Sequence, residues 1–179
     1  MQKLTFVIGA NAAGKTYFIE HHLANEKAVA LNIYDYQQKV YDEHGNKELI
    51  TFEEQFRCLK KANEKHLHDI INELKQGNDV IAEQTFFKAK RRIAYIDEIR
   101  KEMDVKIEAY VMCPSKKRWI ENSKKREDIE NIEVYENQKK QMEFPNPAEG
   151  FDAIFEVVDD EIILRMDDIK PEIVKQARQ

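Results

Sequence analysis

An eight-residue pattern near the N-terminus constrains the fold of this chain more than any other feature of the sequence. Residues 9–16 read Gly-Ala-Asn-Ala-Ala-Gly-Lys-Thr, which matches G-x-x-x-x-G-K-S/T. Gly9 and Gly14 allow backbone conformations that are closed to other residues, so the loop can turn its N–H groups inward onto phosphate oxygens. In such a loop Lys15 reaches the β- and γ-phosphates of a nucleotide, and the Thr16 hydroxyl can bind Mg²⁺.

The residues on either side of the pattern supply the context that it requires. Residues 3–8 form a short apolar run suited to a buried strand, and residues 17–23 can continue a helix that begins at about Lys15. The N-terminal end of that helix adds partial positive charge to the site. An ordinary turn with a surface lysine is the alternative, and it does not account for this context. We expect ATP to be bound by Gly9, Ala10, Asn11, Ala12, Ala13, Gly14, Lys15, Thr16 and Tyr17.

Amino-acid composition limits the class of protein to which this chain can belong. The chain has 179 residues, of which 42% are hydrophobic and 35% charged, which is enough for one domain with a core. The net charge of −5 argues against binding of nucleic acid through an overall basic surface, although it does not exclude a local basic patch. The sequence contains neither a run of 18 apolar residues nor a signal peptide, and Cys58 and Cys113 fit reduced core thiols. We therefore expect a cytoplasmic protein with no membrane segment and no stable protein partner.

Apolar patterning alternates between strands and helices along the chain. Strands are predicted at 27–33, 79–83, 105–112 and 151–158, and helices at 52–76, 88–103, 115–126 and 132–144. Residues 34–50 read as polar with a turn near His44, residues 161–166 either form a hairpin or end the sheet, and a short helix begins at Asp167. The alternation predicts one domain over 1–179, with a five-stranded mainly parallel sheet, helices on both faces and a helical lid at about 115–150.

Two acidic residues lie where the predicted strands end. Because the carboxyl ends of parallel strands share one edge of a sheet, Asp35 and Glu83 should face the bound phosphates. Asp35 could accept the proton of an attacking hydroxyl, or it could be a helix cap or turn residue. Glu83 could hold Mg²⁺ or its bound water, or it could be a solvated strand end. Gln84 and Thr85 are possible substrate contacts.

Basic residues cluster in the predicted lid. Residues 116–118 and 124–126 read Lys-Lys-Arg twice, and most such charges only solvate a helix face. Arginine stabilises the charge that spreads over a transferring phosphoryl group, and we expect Arg126 or Lys125 to do so. Arg91 and Arg92 could reach a substrate phosphate, but a solvated helix face is the favoured interpretation for both.

With these residues in place, nearly the whole chain resembles the P-loop kinases related to phage polynucleotide 5′-kinase and to the zeta-toxin-like kinases. Residues 32–37, Asn-Ile-Tyr-Asp-Tyr-Gln, resemble a family segment whose second acid is the general base, which implies this role for Asp35. Residues 81–85 resemble the family's strand ending in Asp-Thr-Asn or Glu-Thr-Thr, and residues 121–126 resemble its arginine-bearing lid. The resemblance implies a P-loop NTPase fold of the three-layer α/β/α type.

The chain also departs from this family. Gln37 stands where the polynucleotide kinase has an arginine that helps to bind a nucleic-acid phosphate, and Glu121 replaces an arginine before the lid asparagine. The lid arginine is displaced by one residue, so that Lys125 and Arg126 compete for its role.

The sequence as a whole predicts an ATP-dependent kinase. Lys15, Asp35 and Arg126 are its expected catalytic residues, with Mg²⁺ held by Thr16 and Glu83. The acceptor is a hydroxyl of a small molecule or of an oligonucleotide 5′ end. The alternatives are a P-loop ATPase or nucleotide switch without an acceptor, a toxin-like nucleotide-sugar kinase, and a pseudo-kinase that acts by binding.

Overall fold

The computed structural model describes residues 1–45, 51–126 and 132–166. The strands are β1 (Lys3–Ile8), β2 (Ala28–Asn32), β3 (Asp79–Gln84), β4 (Lys106–Met112), β5 (Ala153–Val158) and β6 (Glu161–Met166). The α-helices are α1 (Lys15–Phe18), α2 (Ile33–His44), α3 (Phe52–Lys75), α4 (Ala89–Glu102), α5 (Lys116–Lys124) and α6 (Ile132–Gln141). A π-helical turn, Ile19–Leu23, continues α1, and a 3-10 turn, Pro147–Glu149, precedes β5. The helix predicted to begin at Asp167 lies outside the described residues.

The strands form one sheet in the order β2-β3-β1-β4-β5-β6. Each pair among the first five strands is parallel, and β6 is antiparallel to β5. The predicted α/β fold with a mainly parallel sheet is confirmed, but the described sheet has six strands rather than five, because residues 161–166 turn back beside β5. The register pairs Val7 with Glu83 and Ile8 with Gln84, so the C-terminal ends of β1 and β3 lie side by side.

Alternate residues of β1 enter two separate cores, one on each face of the sheet. Phe6 and Ile8 are fully buried among residues of α3 and α4. Val7 is fully buried on the opposite face with Phe18 of α1 and Trp119 of α5. Helices therefore cover both faces, and the sheet edge between the two layers carries the loops that follow the strands.

Residues 34–50 were described from sequence only as polar with a turn near His44, and no helix was predicted there, whereas α2 occupies the segment as far as His44. The Asn32 side chain begins α2 by accepting a backbone N–H of its first turn. Apolar residues of α2 such as Val40 pack against Cys58 of α3. The buried residues Ile33, Tyr36, Val40 and Tyr41 recur at i, i+3, i+7 and i+8, so the helical period was present in the sequence and was not recognised.

Two other expectations concern α1 and the membrane. The helix predicted to run from Lys15 through Leu23 is α-helical only to Phe18 and becomes a π-helical turn after it. Among the residues that the structure describes, no helix combines the length and the apolar character needed to span a bilayer. Cys58 and Cys113 both carry free thiols.

Candidate active site

The loop between β1 and α1 contains left-handed backbone conformations of the kind that its glycine pattern predicts. Gly14 has a φ of 89° and Ala12 a φ of 58°, both in the left-handed region. A Cβ added to Gly9 would lie 2.9 Å from the Cβ of Met112 at the end of β4. Gly14 is therefore required by the backbone conformation, and Gly9 is required by the close approach of β4.

Lys15 begins α1 and is only 5% exposed. Its Nζ donates hydrogen bonds to the carbonyl oxygens of Gly9 at 3.1 Å and Ala10 at 2.9 Å. The ammonium group is thus held against the loop, and its three donors are suited to phosphate oxygens. Gly9 and Ala10 contact the lysine and do not line the cleft described below.

Thr16 and Glu83 meet where α1 begins and β3 ends. The Thr16 hydroxyl donates to Glu83 Oε1 at 2.8 Å, and Asn32 Nδ2 donates to Glu83 Oε2 at 3.1 Å. Burial raises the pKa of the Glu83 carboxyl, whereas the bond from Thr16 and the charge of Lys15 act to lower it. A hydroxyl and a carboxylate are hard oxygen ligands, and Mg²⁺ is commonly bound by one or two carboxylates together with substrate phosphates. The two residues therefore fit a Mg²⁺ ion that also binds a nucleotide.

The two helices of the predicted lid, α5 and α6, are hydrogen-bonded to the loop. Trp119 Nε1 donates to the carbonyl oxygen of Asn11 at 2.8 Å, and Asn122 Nδ2 donates to that of Ala12 at 3.1 Å. From α6, Gln138 Oε1 accepts the backbone N–H of Asn11 at 3.0 Å. These bonds fix the orientation of the peptide groups in the middle of the loop.

A cleft of about 670 Å³, here called the P-loop cleft, lies over the loop. Its lining consists of residues 11–17, Asn32, Tyr34, Glu83, Asn122, Lys125 and Arg126. Lys125 and Arg126 follow the last turn of α5, which brings both predicted lid cations to the same cleft as Lys15, Thr16 and Glu83. The cations Lys15, Lys125 and Arg126 and the buried carboxyl of Glu83 thus line one cleft. This combination of charges is suited to a polyphosphate bound together with a divalent cation.

A smaller cavity of about 170 Å³ adjoins the P-loop cleft. The two share Ala13, Gly14, Tyr17, Asn122 and Lys125. Beyond these shared residues the side cavity is lined by aromatic, apolar and charged residues that include Phe18, His22, Pro114, Arg118, Val157 and Asp160.

Asp35 is the third residue of α2, and its side chain is exposed. It is not among the residues that line either the P-loop cleft or the side cavity. Its charge nevertheless lies close enough to Glu83 to help raise the pKa of that carboxyl. The preceding residue, Tyr34, does line the P-loop cleft, and its hydroxyl donates to Asn11 Oδ1 at 2.5 Å.

A second large cleft, of about 720 Å³, lies between α3 and α4 beyond the end of β3. We call it the α3–α4 cleft. Its apolar and aromatic lining residues are Ile33, Tyr34, Phe56, Leu59, Leu67, Phe86, Phe87, Ala94 and Tyr95. Its polar and charged lining residues are Gln37, Lys60, Asn63, Glu64, Gln84, Thr85, Lys88, Lys90, Arg91 and Glu98. Tyr34 lines this cleft and the P-loop cleft alike, so the two clefts meet at the start of α2.

Arg92 differs from the sequence-based expectation of a solvated helix face. Its side chain is fully buried, with Nε and Nη2 donating to the Glu149 carboxylate at 2.6 and 2.8 Å. Nη1 donates to the carbonyl oxygen of Phe86 at 2.6 Å, and Phe86 has a φ of 46°, which is rare for a bulky residue. Arg91 does lie in an exposed setting, where it donates to Asn63 Oδ1 at 3.0 Å. Arg92 is therefore a structural residue that holds the loop after β3, whereas Arg91 lines the α3–α4 cleft.

Sequence reasoning missed several contributors to the P-loop cleft. Asn32 holds Glu83, Trp119 and Asn122 hold the loop, and Tyr34 joins the two clefts. Asn32 and Asn122 lie in the segments that carry the resemblance to the P-loop kinases, so that signal was available. The role of Trp119 had no comparable signal, because an aromatic residue in a lid helix reads as core.

Solved structures of similar fold are distant in sequence. A protein of Chloroflexus aurantiacus, described as a candidate kinase, superposes with a TM-score of 0.68 at 17% identity, covering 99% of this chain and 94% of that one. The PezAT toxin–antitoxin system of Streptococcus pneumoniae matches with a TM-score of 0.61 at 12% identity, over 98% of this chain and 77% of that one. The Pnkp1/Rnl/Hen1 RNA repair complex matches with a TM-score of 0.56 at 15% identity, over 95% of this chain but only 50% of that one. At these identities the likeness shows the fold alone.

The family to which the chain belongs follows from its sequence. No curated protein sequence matches it. The AAA_33 family of AAA domains matches residues 4–145, a segment that runs from β1 past α6 and includes the loop, Glu83 and the lid helices. The resemblance to P-loop kinases drawn from the sequence is confirmed at the level of family and fold. Because the match spans most of the 179 residues, this chain is a member of the AAA_33 family of AAA domains, with the fold of the P-loop kinases.

Proposed function

We propose that the chain is an ATP-dependent kinase that phosphorylates a hydroxyl group of an acceptor bound in the α3–α4 cleft. The observation that carries this proposal is the meeting of the two clefts at Tyr34. A phosphate-binding cleft that opened only to solvent would suit an ATPase or a nucleotide switch equally well. A second cleft of about 720 Å³ beside the phosphate end instead favours transfer to an acceptor.

The residues of the P-loop cleft fit the phosphates of ATP. Lys15 would bind the β- and γ-phosphates, and Arg126 or Lys125 would stabilise charge on the γ-phosphoryl oxygens as α5 closes over them. Thr16 and Glu83 would hold Mg²⁺, which neutralises charge that develops on the phosphates. Positioning and charge stabilisation supply most of the rate in phosphoryl transfer.

The side cavity is a suitable place for the nucleotide base. It shares Gly14 and Tyr17 with the P-loop cleft, so one ligand can occupy both. Phe18 and Pro114 provide apolar surface there, and Arg118 and Asp160, which form an ion pair with each other, provide polar groups. This arrangement agrees with a nucleoside triphosphate whose phosphates lie over the loop.

Asp35 is the proposed general base. The acceptor oxygen would attack the γ-phosphorus as the bond to the β-phosphate oxygen breaks, ADP would leave with the bonding electrons, and Asp35 would receive the hydroxyl proton. Asp35 lines neither the α3–α4 cleft nor the P-loop cleft, but it directly follows Tyr34, which lines both, in the first turn of α2, and this adjacency supports the assignment.

The test is steady-state transfer of labelled phosphate from ATP to a panel of alcohols and oligonucleotides. Asp35→Asn should lower kcat about 10²- to 10⁴-fold with the KM for ATP nearly unchanged, because only the proton transfer is removed. Asp42→Asn, an exposed acid of the same helix, is the matched control and should retain turnover, whereas Lys15→Ala should be inactive. Full turnover by Asp35→Asn would show that the base is elsewhere. ATP hydrolysis that no acceptor stimulates would favour the ATPase alternative.

A further inference from the structure

Tyr34 stands at the boundary between the P-loop cleft and the α3–α4 cleft. Among the residues that the structure describes, it alone belongs to the lining of both. Every other lining residue serves one of these two clefts and not the other. A molecule that extends from one cleft into the other must therefore pass the Tyr34 side chain.

Hydrogen bonds hold Tyr34 at both ends. Its backbone N–H donates to Asn32 Oδ1 at 2.9 Å, and Asn32 Nδ2 donates in turn to Glu83 Oε2 at 3.1 Å. At the far end of the side chain, the phenol hydroxyl donates to Asn11 Oδ1 at 2.5 Å. The ring is thus held between the proposed Mg²⁺ site and the phosphate-binding loop.

Asn11 is itself fixed in the middle of that loop. Its backbone N–H donates to Gln138 Oε1 of α6 at 3.0 Å, and its carbonyl oxygen accepts the indole N–H of Trp119 of α5 at 2.8 Å. The Tyr34 hydroxyl therefore bonds to a residue whose peptide groups are already oriented by both lid helices.

The ring of Tyr34 is much less enclosed than that of a neighbouring tyrosine. Tyr34 is 40% exposed, whereas Tyr36, two residues further along α2, is 9% exposed. Exposed side chains change rotamer readily, because few packing contacts oppose the motion. Loss of one neutral hydrogen bond changes an equilibrium by only about 2- to 13-fold, so the bond to Asn11 holds the ring in place reversibly.

The direction of phosphoryl transfer makes this boundary important. The attacking and leaving oxygens lie roughly in line with the phosphorus atom. With the acceptor in the α3–α4 cleft, as proposed above, the attacking oxygen approaches from that side and passes Tyr34. Water on the same line would form the new bond to the γ-phosphorus, ADP would leave with the bonding electrons, and the proton of the water would pass to the base. The product would then be inorganic phosphate in place of a phosphorylated alcohol.

We propose that Tyr34 selects between these two nucleophiles. While the α3–α4 cleft is empty, the ring bonded to Asn11 closes the passage and keeps water off the line of attack. An acceptor that buries apolar surface in that cleft gains more free energy than one hydrogen bond supplies, so it can displace the ring and fill the passage itself. This inference rests on the proposed kinase function and adds to it a control of wasteful hydrolysis. Tyr34 is a specificity residue in this role and receives neither proton nor phosphate.

The test requires only ATP, Mg²⁺ and the full chain. Release of phosphate from ATP is measured without any alcohol, and the rate of Lys15→Ala is subtracted as the blank. The affinity for a non-hydrolysable ATP analogue is measured separately by the fluorescence of Trp119, the one tryptophan of the chain, whose indole is bonded to the loop. The two measurements separate access of water from a general disturbance of the ATP site.

Tyr34→Phe keeps the ring and removes its bond to Asn11. It should raise kcat for hydrolysis about 2- to 13-fold while the Kd of the analogue stays the same. Tyr34→Ala should raise hydrolysis at least as much, and Asn11→Ala combined with Tyr34→Phe should be no faster than Tyr34→Phe alone, because both remove the same bond. Tyr36→Phe is the matched control. It also removes a tyrosine hydroxyl of α2, which donates to Asp69 at 2.9 Å, but Tyr36 lines neither cleft, so hydrolysis should not change.

Three results would overturn the inference: Tyr34→Phe leaves hydrolysis unchanged or slows it, Tyr36→Phe raises it equally, or faster hydrolysis comes with an altered Kd of the analogue. The kinase proposal is decided separately, by transfer of labelled phosphate to the panel of alcohols and oligonucleotides. Transfer without faster hydrolysis in Tyr34→Phe would keep the kinase and remove this role of Tyr34. Faster hydrolysis in Tyr34→Phe with no phosphorylated acceptor would remove the kinase proposal and leave the control of water by Tyr34.

Discussion

Removing the charge of Glu149 from its buried ion pair with Arg92 should strongly lower the free energy of unfolding. The two side chains are 0% and 2% exposed and share two hydrogen bonds of 2.6 and 2.8 Å. Arg92 also holds the carbonyl oxygen of Phe86, and Glu149 accepts the backbone N–H of Asn146 at 3.2 Å. The pair thus joins α4, the loop after β3 and the 3-10 turn before β5.

The perturbation is Glu149→Gln, which keeps the shape of the side chain and removes its charge. The Arg92 guanidinium would then be buried without a counter-ion, a situation that costs about 3–5 kcal/mol in folding free energy. Domains are commonly stable by only about 5–15 kcal/mol, so this substitution should remove a large fraction of the stability. Replacing both residues, as Arg92→Met with Glu149→Leu, should recover much of the loss, because no buried charge remains.

Denaturant unfolding followed by circular dichroism measures these differences. Glu143→Gln is the matched control, since Glu143 forms an ion pair with Lys88 at 3.0 Å in the same region but both side chains are about half exposed. That control should differ little from the wild type, because solvent screens exposed pairs. The folded fraction of Glu149→Gln should also bind acceptor more weakly, because the pair positions Phe86 beside the α3–α4 cleft.

The reasoning would be refuted if Glu149→Gln unfolded at the same denaturant concentration as Glu143→Gln. It would also be refuted if the double replacement were no more stable than the single one. Either result would mean that the Arg92 charge reaches water or another partner when its carboxylate is removed.

Two further predictions follow from burial of titratable groups. Glu83→Gln should raise the thermal stability of the ligand-free protein at neutral pH, because burial raises the pKa of this carboxyl and its ionisation therefore opposes folding as pH rises. The same variant should lose Mg²⁺-dependent turnover. Unchanged turnover would contradict the proposed role of Glu83 in holding Mg²⁺. Burial lowers the pKa of His66, so the stability that it contributes is present above its ordinary pKa and is lost as pH falls below about 6.5. His66→Gln should flatten the dependence of the unfolding free energy on pH in this window, and an unchanged slope would contradict the effect of its burial.

The loop could be predicted from the sequence because its requirements are local. The left-handed φ of 89° at Gly14 disfavours a side chain there, and the 2.9 Å approach of β4 leaves no room for one at Gly9, so the pattern of residue types carries the geometry. Glu83 could be predicted for a similar reason, since its position at a strand end follows from the apolar run before it. These features depend on neighbours in the chain and on the shared edge of a parallel sheet.

Arg91 and Arg92 could not be separated by sequence because their difference depends on a distant partner. The two residues are adjacent and both carry a guanidinium, yet one is exposed and the other is fully buried. The direction in which each side chain leaves α4 decides this, together with Glu149, which lies 57 positions further along the chain. By contrast, α2 could have been predicted, because its buried residues Ile33, Tyr36, Val40 and Tyr41 lie at helical spacing, and they pack against residues of α3.

The two clefts are linked by the geometry of a single strand end. A strand alternates its side chains between faces, so the consecutive residues Glu83 and Gln84 reach two different clefts although their backbones adjoin. One residue inserted before them would exchange the two faces, bringing the amide to the phosphates and the carboxyl to the aromatic cleft. The same alternation brings the proposed metal site and the proposed acceptor site to the shared boundary at Tyr34. The register of β3 against β1 therefore determines both where phosphate can be held and which acceptor can approach it.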